Sequence, residues 1–219
     1  MKSYYLISLF LLALAAVPFL VRALKDTRHR GRELTVIAVM TAIAVIARSV
    51  FYMLPQVKPM AAVVILTGIS FGGSAGFLTG MLSGFVSNFI FGQGPWTPWQ
   101  MLGFGLLGAL AGWLFQKRTI SPKTRILATI YAFFSVLLLY GMLLDTATVL
   151  LSGNAPTKAM FLATYASGFV FNLIHAGAST VFLFLFYYPV TKRLERIRTK
   201  YGVFFNPRNH SPGSSFIDT

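Results

Sequence analysis

Two charged residues lie inside otherwise apolar stretches, Arg48 within residues 33–54 and Asp145 toward the end of residues 126–151. A charge at membrane depth is expensive unless it is paired or faces an aqueous cavity, and it marks a functional position by default. The two sit at similar depth and read as partners in a cavity wall. The plainer readings are a fold-stabilising ion pair without ligand contact, or an Arg48 that snorkels outward. From Gly92 to Gln100 the chain reads Gly-Gln-Gly-Pro-Trp-Thr-Pro-Trp-Gln between two apolar runs. There Trp96 and Trp99 offer stacking faces and Gln93 and Gln100 offer amides, the make-up of a lid over a small molecule. The plainer reading of the same tryptophans is an aromatic belt at the membrane interface. In the last apolar run Thr164, Gly168, Asn172, His175 and Ser179 recur on one helical face. That polar stripe lines a substrate path or, more plainly, joins helices to one another.

Catalysis needs convergent acids, bases, nucleophiles or metal ligands, and the whole chain holds five acidic residues and three histidines. No second histidine is placed to complete a metal site with His175. There is no cysteine, so thiolate ligands, disulfides and cysteine nucleophiles are excluded. No Walker motif is present, so the chain carries no ATPase of its own. The sequence therefore predicts no catalytic residue, no metal and no covalently bound cofactor.

The elements that must position these groups are membrane helices. With 56% hydrophobic and 11% charged residues, the 219-residue chain is far more apolar than a soluble domain, in which about a quarter of residues are charged. The net charge of +14 does not point to nucleic acid, because the cations lie between apolar runs and not on an amphipathic face. Residues 1–21 read as a retained N-terminal membrane helix rather than a cleaved leader, since the head is nearly uncharged and a dense basic stretch follows. Residues 22–32 form a cationic linker, residues 33–191 a six-helix core, and residues 192–219 a basic helix end followed by a tail of disordered composition.

Within the core, the second span, 33–54, is stopped by Pro55 and Pro59 around Gln56, Val57 and Lys58. Residues 60–71 are too short to cross unaided, which is tolerated only where protein or a water-filled cavity covers the ends, and a vestibule on the outer side is expected there. Residues 72–91 carry Gly72, Gly76, Gly80 and Gly84 at four-residue spacing with Asn88 on the same face, and residues 97–115 carry Gly105, Gly108 and Gly112. Small residues at this spacing let membrane helices approach closely, so both helices clasp a neighbour. Thr97 is placed to cap its helix, with Pro98 in the first turn and Gln100 as the capping-box partner, so this helix starts at Thr97. Residues 126–151 and 160–190 complete the core.

Cation placement orients the chain. The linker holds five Lys or Arg, the loop around Lys117 to Arg125 four and the C-terminal segment six, fifteen on one side against Lys2, Lys58 and Lys158 on the other. The positive side is cytoplasmic, which predicts a multi-pass protein of the cell membrane with seven passes, an outer N-terminus and a cytoplasmic C-terminus.

Ala38 and Ala42 lie one helical turn apart on the second span and leave a smooth groove for another helix. This alanine face, the basic linker before it, the short second core helix, the glycine-rich third and fourth helices joined by an aromatic loop, and the basic end form a set from Arg32 to Lys200. The set resembles the substrate-binding S component of energy-coupling factor (ECF) vitamin transporters, and Gly94 to Gln100 is most similar to members associated with cobalamin. The resemblance implies a six-helix, all-α polytopic core that captures a vitamin outside the cell. It also implies three partners, a transmembrane coupling subunit and two ATPase subunits that use ATP. On this resemblance Ala38 and Ala42 form the partner interface, and the loops at 55–59 and 92–99 grip the ligand. The expected substrate-binding residues are Arg48, Gln56, Asn88, Gln93, Trp96, Trp99, Gln100, Asp145, Asn172 and His175, and the expected ligand is cobalamin or a related corrinoid. The helix before Arg22 departs from the family's core, and the absence of cysteine argues against thiol-using cobalamin carriers. A queuosine precursor or folate is an alternative ligand. A membrane-embedded enzyme acting on a lipid or prenyl substrate, or a bare membrane scaffold, are the readings from other classes.

Overall fold

The computed structural model describes residues 30–152 and 155–204, together with positions 6, 10, 13, 14, 16–18 and 21. The expected first span at 4–21, most of the basic linker and the tail from 205 onward lie outside the fully described residues. Among the described residues every regular element is helical. In chain order they are α1 (Arg30–Val50), α2 (Met60–Phe71), α3 (Gly73–Phe91), α4 (Thr97–Phe115), α5 (Pro122–Leu151) and α6 (Lys158–Tyr201). All but α2 are long and apolar enough to cross a membrane. The chain is thus an all-α polytopic membrane protein built on six core helices.

The sequence explains most boundaries. α1 stops at Val50, short of the expected Leu54; Pro55 has no N–H to return to the Phe51 carbonyl and disfavours helical backbone at Leu54. The chain instead turns through Tyr52 N–H to Ser49 O (3.1 Å) and Leu54 N–H to Phe51 O (3.0 Å). α2 occupies the expected residues, and all of it except Val63 is buried by its neighbours, which satisfies the requirement on short helices at membrane depth. Gly72, at φ 101°, makes the reversal into α3, a backbone conformation costly for any residue with a Cβ.

The glycine faces clasp one another. A Cβ on Gly76 would stand 2.4 Å from the Gly108 carbonyl oxygen, one on Gly80 2.2 Å from that of Phe104, and one on Gly68 2.1 Å from that of Gly108. The backbones of α2, α3 and α4 therefore touch, and the neighbour expected for each stripe is the other stripe together with α2. Around this seam Met60, Ile65, Phe104, Leu107, Tyr140, Leu183 and Tyr187 form the main apolar core.

α5 departs from a plain helix: it is α-helical over Pro122–Phe134, π-helical over Ser135–Gly141 and α-helical again over Met142–Leu151. α6 is one continuous 44-residue helix that takes in both the last apolar run and the basic end. It is capped by the Thr157 side chain, which accepts the Met160 amide, and it ends on Gly202 in the left-handed region. At that basic end the buried Glu33 carboxylate accepts the Phe204 amide at 2.8 Å, which ties the start of α1 to the end of α6.

Candidate ligand-binding site

The antiparallel order gathers residues 51–59, 92–96, 152 and 155–157 at one end of the bundle, called here the Trp96 end, opposite the basic end. Two cavities open there. The larger, about 570 Å³, lies between the start of α4 and the end of α5, with Trp96, Gln100, Asp145, Thr148 and Ser152 in its wall. The smaller, about 300 Å³, lies between the end of α1, the following loop and Phe91, with Arg48, Tyr52, Gln56 and Lys58 in its wall.

A hydrogen-bonded network separates and joins them. Arg48 Nη1 donates to Ser87 Oγ (2.5 Å) and Asn88 Oδ1 (3.1 Å), and the guanidinium carbon stands 4.3 Å from the Phe91 ring centroid. Asn88 Nδ2 donates to Gln100 Oε1 (2.7 Å) and Thr97 Oγ1 (3.0 Å). Thr97 donates to Gln93 Oε1 (2.9 Å) and accepts the Gly94 amide, while Gln93 Nε2 donates to the Phe85 carbonyl (3.0 Å). One asparagine thus links the end of α1 to the start of α4 and fixes the 92–96 loop.

Several expectations change in consequence. The helix does start at Thr97, but no side chain caps it. The Thr97 hydroxyl turns back into the loop, and the Gln100 carbonyl is taken by Asn88. The amides of Gln93 and Gln100 are engaged within the protein. Trp96 and Trp99 also part company. Trp96 is 43% exposed in the larger cavity's wall, with its ring over Gly94, where a Cβ would meet it at 2.5 Å. Trp99 is 6% exposed and packs with Phe77, Leu102 and Ala147 inside the bundle, because three residues of helix turn it onto the core face.

Arg48 and Asp145 take different partners. The Asp145 carboxylate accepts from Asn172 Nδ2 at 2.8 Å, and the absence of a side chain on Gly168 makes room for it. The π segment bears on this arrangement, since Gly141 at its end packs directly against Asn172. A π turn inside an α-helix shifts the face presented by the residues beyond it. His175, three residues further along α6, is buried between Phe104 and Tyr140 (ring centroids 6.4 and 5.2 Å), with its Nε2 unpaired. The polar stripe of α6 therefore splits: Gly168 and Asn172 serve Asp145, whereas His175 and Ser179 lie in the core.

Sequence reasoning did not single out Ser87, Phe91, Thr148 or Lys58. Ser87 and Phe91 flank the chosen Asn88 by one residue and by one turn, a proximity that helical phase makes legible. Lys58 lies in the 55–59 loop expected to grip the ligand and counts among the outer charges, but it is not one of the expected binding residues. Its side chain is partly buried, and burial first, with Arg48 beside it second, pushes its ammonium down to about 8. Ala38 and Ala42 are exposed on the outer face of α1, among exposed Leu34, Val39, Ile43 and Ile46. Among the described residues no group of three metal-ligating side chains gathers.

The family model described as "ECF-type riboflavin transporter, S component" matches residues 30–192, which takes in α1 to α5 and the apolar length of α6. No curated protein and no solved structure matches the chain. With that family match over most of its length the chain belongs to the ECF-type riboflavin transporter S-component family, whose members are substrate-binding transporter subunits of the membrane and not enzymes.

Proposed function

We propose that the Trp96 end faces outward and captures a flavin-sized heteroaromatic vitamin in the cavity between α4 and α5. The observation that carries this reading is the cavity itself: about 570 Å³, with the half-exposed Trp96 indole and Gln100 on one side and Asp145 and Thr148 on the other. That volume lies in the range of about 300–1,000 Å³ typical of small-molecule sites, and an aromatic face beside a few convergent polar groups is their usual composition. The family's name, which refers to riboflavin, favours the same ligand class. On this reading Trp96 stacks on the ligand, Asp145 accepts from a donor on its ring or side chain, Asn172 orients Asp145, and Asn88 with Gln93 sets the loop. Gln56, Arg48 and the second cavity lie at the ligand's other end. Ala38 and Ala42 receive a helix of the transmembrane coupling subunit, and the C-terminus is cytoplasmic, where two ATPase subunits drive uptake.

Cobalamin is the second reading. The exposed Trp96 beside an open cavity favours it, and size weighs against it, because a corrinoid with its nucleotide loop is several times larger than a flavin. Calorimetric titration of the detergent-solubilised chain with riboflavin and with cobalamin decides between them. Tight one-to-one riboflavin binding supports the first reading, cobalamin binding alone supports the second, and the absence of either overturns both ligands.

A further inference from the structure

The smaller cavity has a charge balance that the bundle itself leaves open. Arg48 and Lys58 both stand in its wall, and no acidic side chain does. Among the described residues the acids are elsewhere: Glu33 holds Phe204 at the basic end, Glu195 lies on the basic part of α6, and Asp145 is bound to Asn172 in the other cavity.

Every protein partner of the two cations is neutral. Arg48 is 7% exposed, its Nη1 is spent on a hydroxyl and an amide oxygen, and its buried Nε has no acceptor. The Lys58 ammonium has Gln56 Oε1 at 3.0 Å. Lys58 stands two residues before α2, whose first turn has no side-chain cap and no acidic residue, so that helix end supplies no counter-charge. The C-terminal end of α1 offsets Arg48 in part. Burying one charge without a counter-charge costs several kcal/mol, and a second charge of the same sign beside it raises that cost. Burial first, and the Arg48 charge second, hold the Lys58 ammonium below its ordinary range.

We propose that the Arg48–Lys58 cavity holds an oxyanion group of the transported molecule, a carboxylate or a phosphate ester, so that the cargo of this subunit is an anionic vitamin or vitamin ester. The Lys58 ammonium then makes a charge-assisted hydrogen bond to that group, about twice as strong as a neutral one, and the Arg48 guanidinium in the same wall adds a second positive charge. The path Arg48–Asn88–Gln100 connects this anion end to the cavity of Trp96 and Asp145. The inference rests on the Trp96 end being the capture site.

The test uses the full chain in neutral detergent and pairs of ligands that differ in charge: riboflavin 5′-phosphate against riboflavin, and biotin and pantothenate against their uncharged amide and alcohol. The anionic member of the binding pair is expected to bind at least about tenfold more tightly. Lys58→Gln, which leaves the Arg48 network intact, is expected to bring that ratio below about threefold and, by removing a charge the fold disfavours, to raise thermal stability at neutral pH. Equal affinity for the two flavins overturns the inference and leaves the flavin reading standing. Charge-dependent binding of a carboxylate vitamin with no flavin binding supports the inference and overturns the flavin reading. If no soluble ligand binds and only vesicles containing phosphatidylglycerol raise thermal stability in a Lys58-dependent way, the cavity is a lipid site and the inference fails. It fails equally if nothing binds.

Discussion

Asn88 accepts from Arg48 at 3.1 Å and through its amide nitrogen donates to Gln100 at 2.7 Å, so one side chain of α3 couples the end of α1 to the start of α4. Replacing it with leucine leaves a buried guanidinium short of an acceptor and two oxygens short of a donor. Hydrogen bonds to charged groups contribute about 1.5–3 kcal/mol each, so Asn88→Leu is expected to cost about 2 kcal/mol or more. Thermal unfolding in detergent measures it, and an unchanged melting temperature would show that water replaces Asn88 at no cost.

The two tryptophans of the 92–100 segment are expected to fail in different ways. Trp96→Ala removes an exposed face from the larger cavity and should weaken ligand binding by about 2 kcal/mol, roughly thirtyfold, with little loss of stability. Trp99→Ala opens a hole among Phe77, Leu102 and Ala147 and should cost about 3–5 kcal/mol of stability. Titration and unfolding of both variants in one detergent measure the pair, and a loss of affinity confined to Trp99→Ala would reverse the assignment.

Ala38→Trp and Ala42→Trp place a bulky ring on an exposed face of α1, away from both cavities. Vitamin binding by the isolated chain should be unchanged, whereas ATP-driven uptake by the reconstituted complex should be abolished, because the partner helix loses its groove. Normal uptake in both variants would move the interface elsewhere.

Lys58 gives the site a pH dependence with two opposite signs. Its ammonium titrates at about 8 in the fold against 10.5 ordinarily, so between these values the unfolded chain binds the extra proton. Stability therefore rises with pH across that window. Affinity for an anionic ligand falls across the same window, because the neutral amine no longer attracts it. The other groups facing Lys58 are Arg48 from α1, His175 from α6 and Tyr52 from the intervening loop. Melting temperature and anion affinity measured from pH 7 to 10 should move in opposite directions, and both should be flat in Lys58→Gln.

How much of this was legible depended on whether the signal was local. The start of α2 after Pro59, its end before Gly72 and the start of α4 at Thr97 follow from residues that act on their own backbone. The glycine spacing announced close approach but could not say to what, since a stripe carries no address. Opposite sign and similar depth suggested that Arg48 and Asp145 would meet. Each found a neutral amide nearer to hand, Asn88 for one and Asn172 for the other. Trp96 and Trp99 looked equivalent because helical phase has no reference until a core exists. The π segment at Ser135–Gly141 has no glycine or proline before its last residue, so nothing in the sequence marked it.

The contact of bare backbones along Gly68, Gly76, Gly80 and Gly108 also sets which parts of the chain can vary. At these positions a single added methyl would strike a carbonyl oxygen, and the obstacle is main chain that no rotamer change can move aside. Arg48, Gln56, Lys58 and Trp96 stand on turns and helix ends outside that frame, where exchanging a side chain leaves α2, α3 and α4 in register. If the proposed capture site holds, its side chains can be exchanged one residue at a time without refolding the frame that presents them.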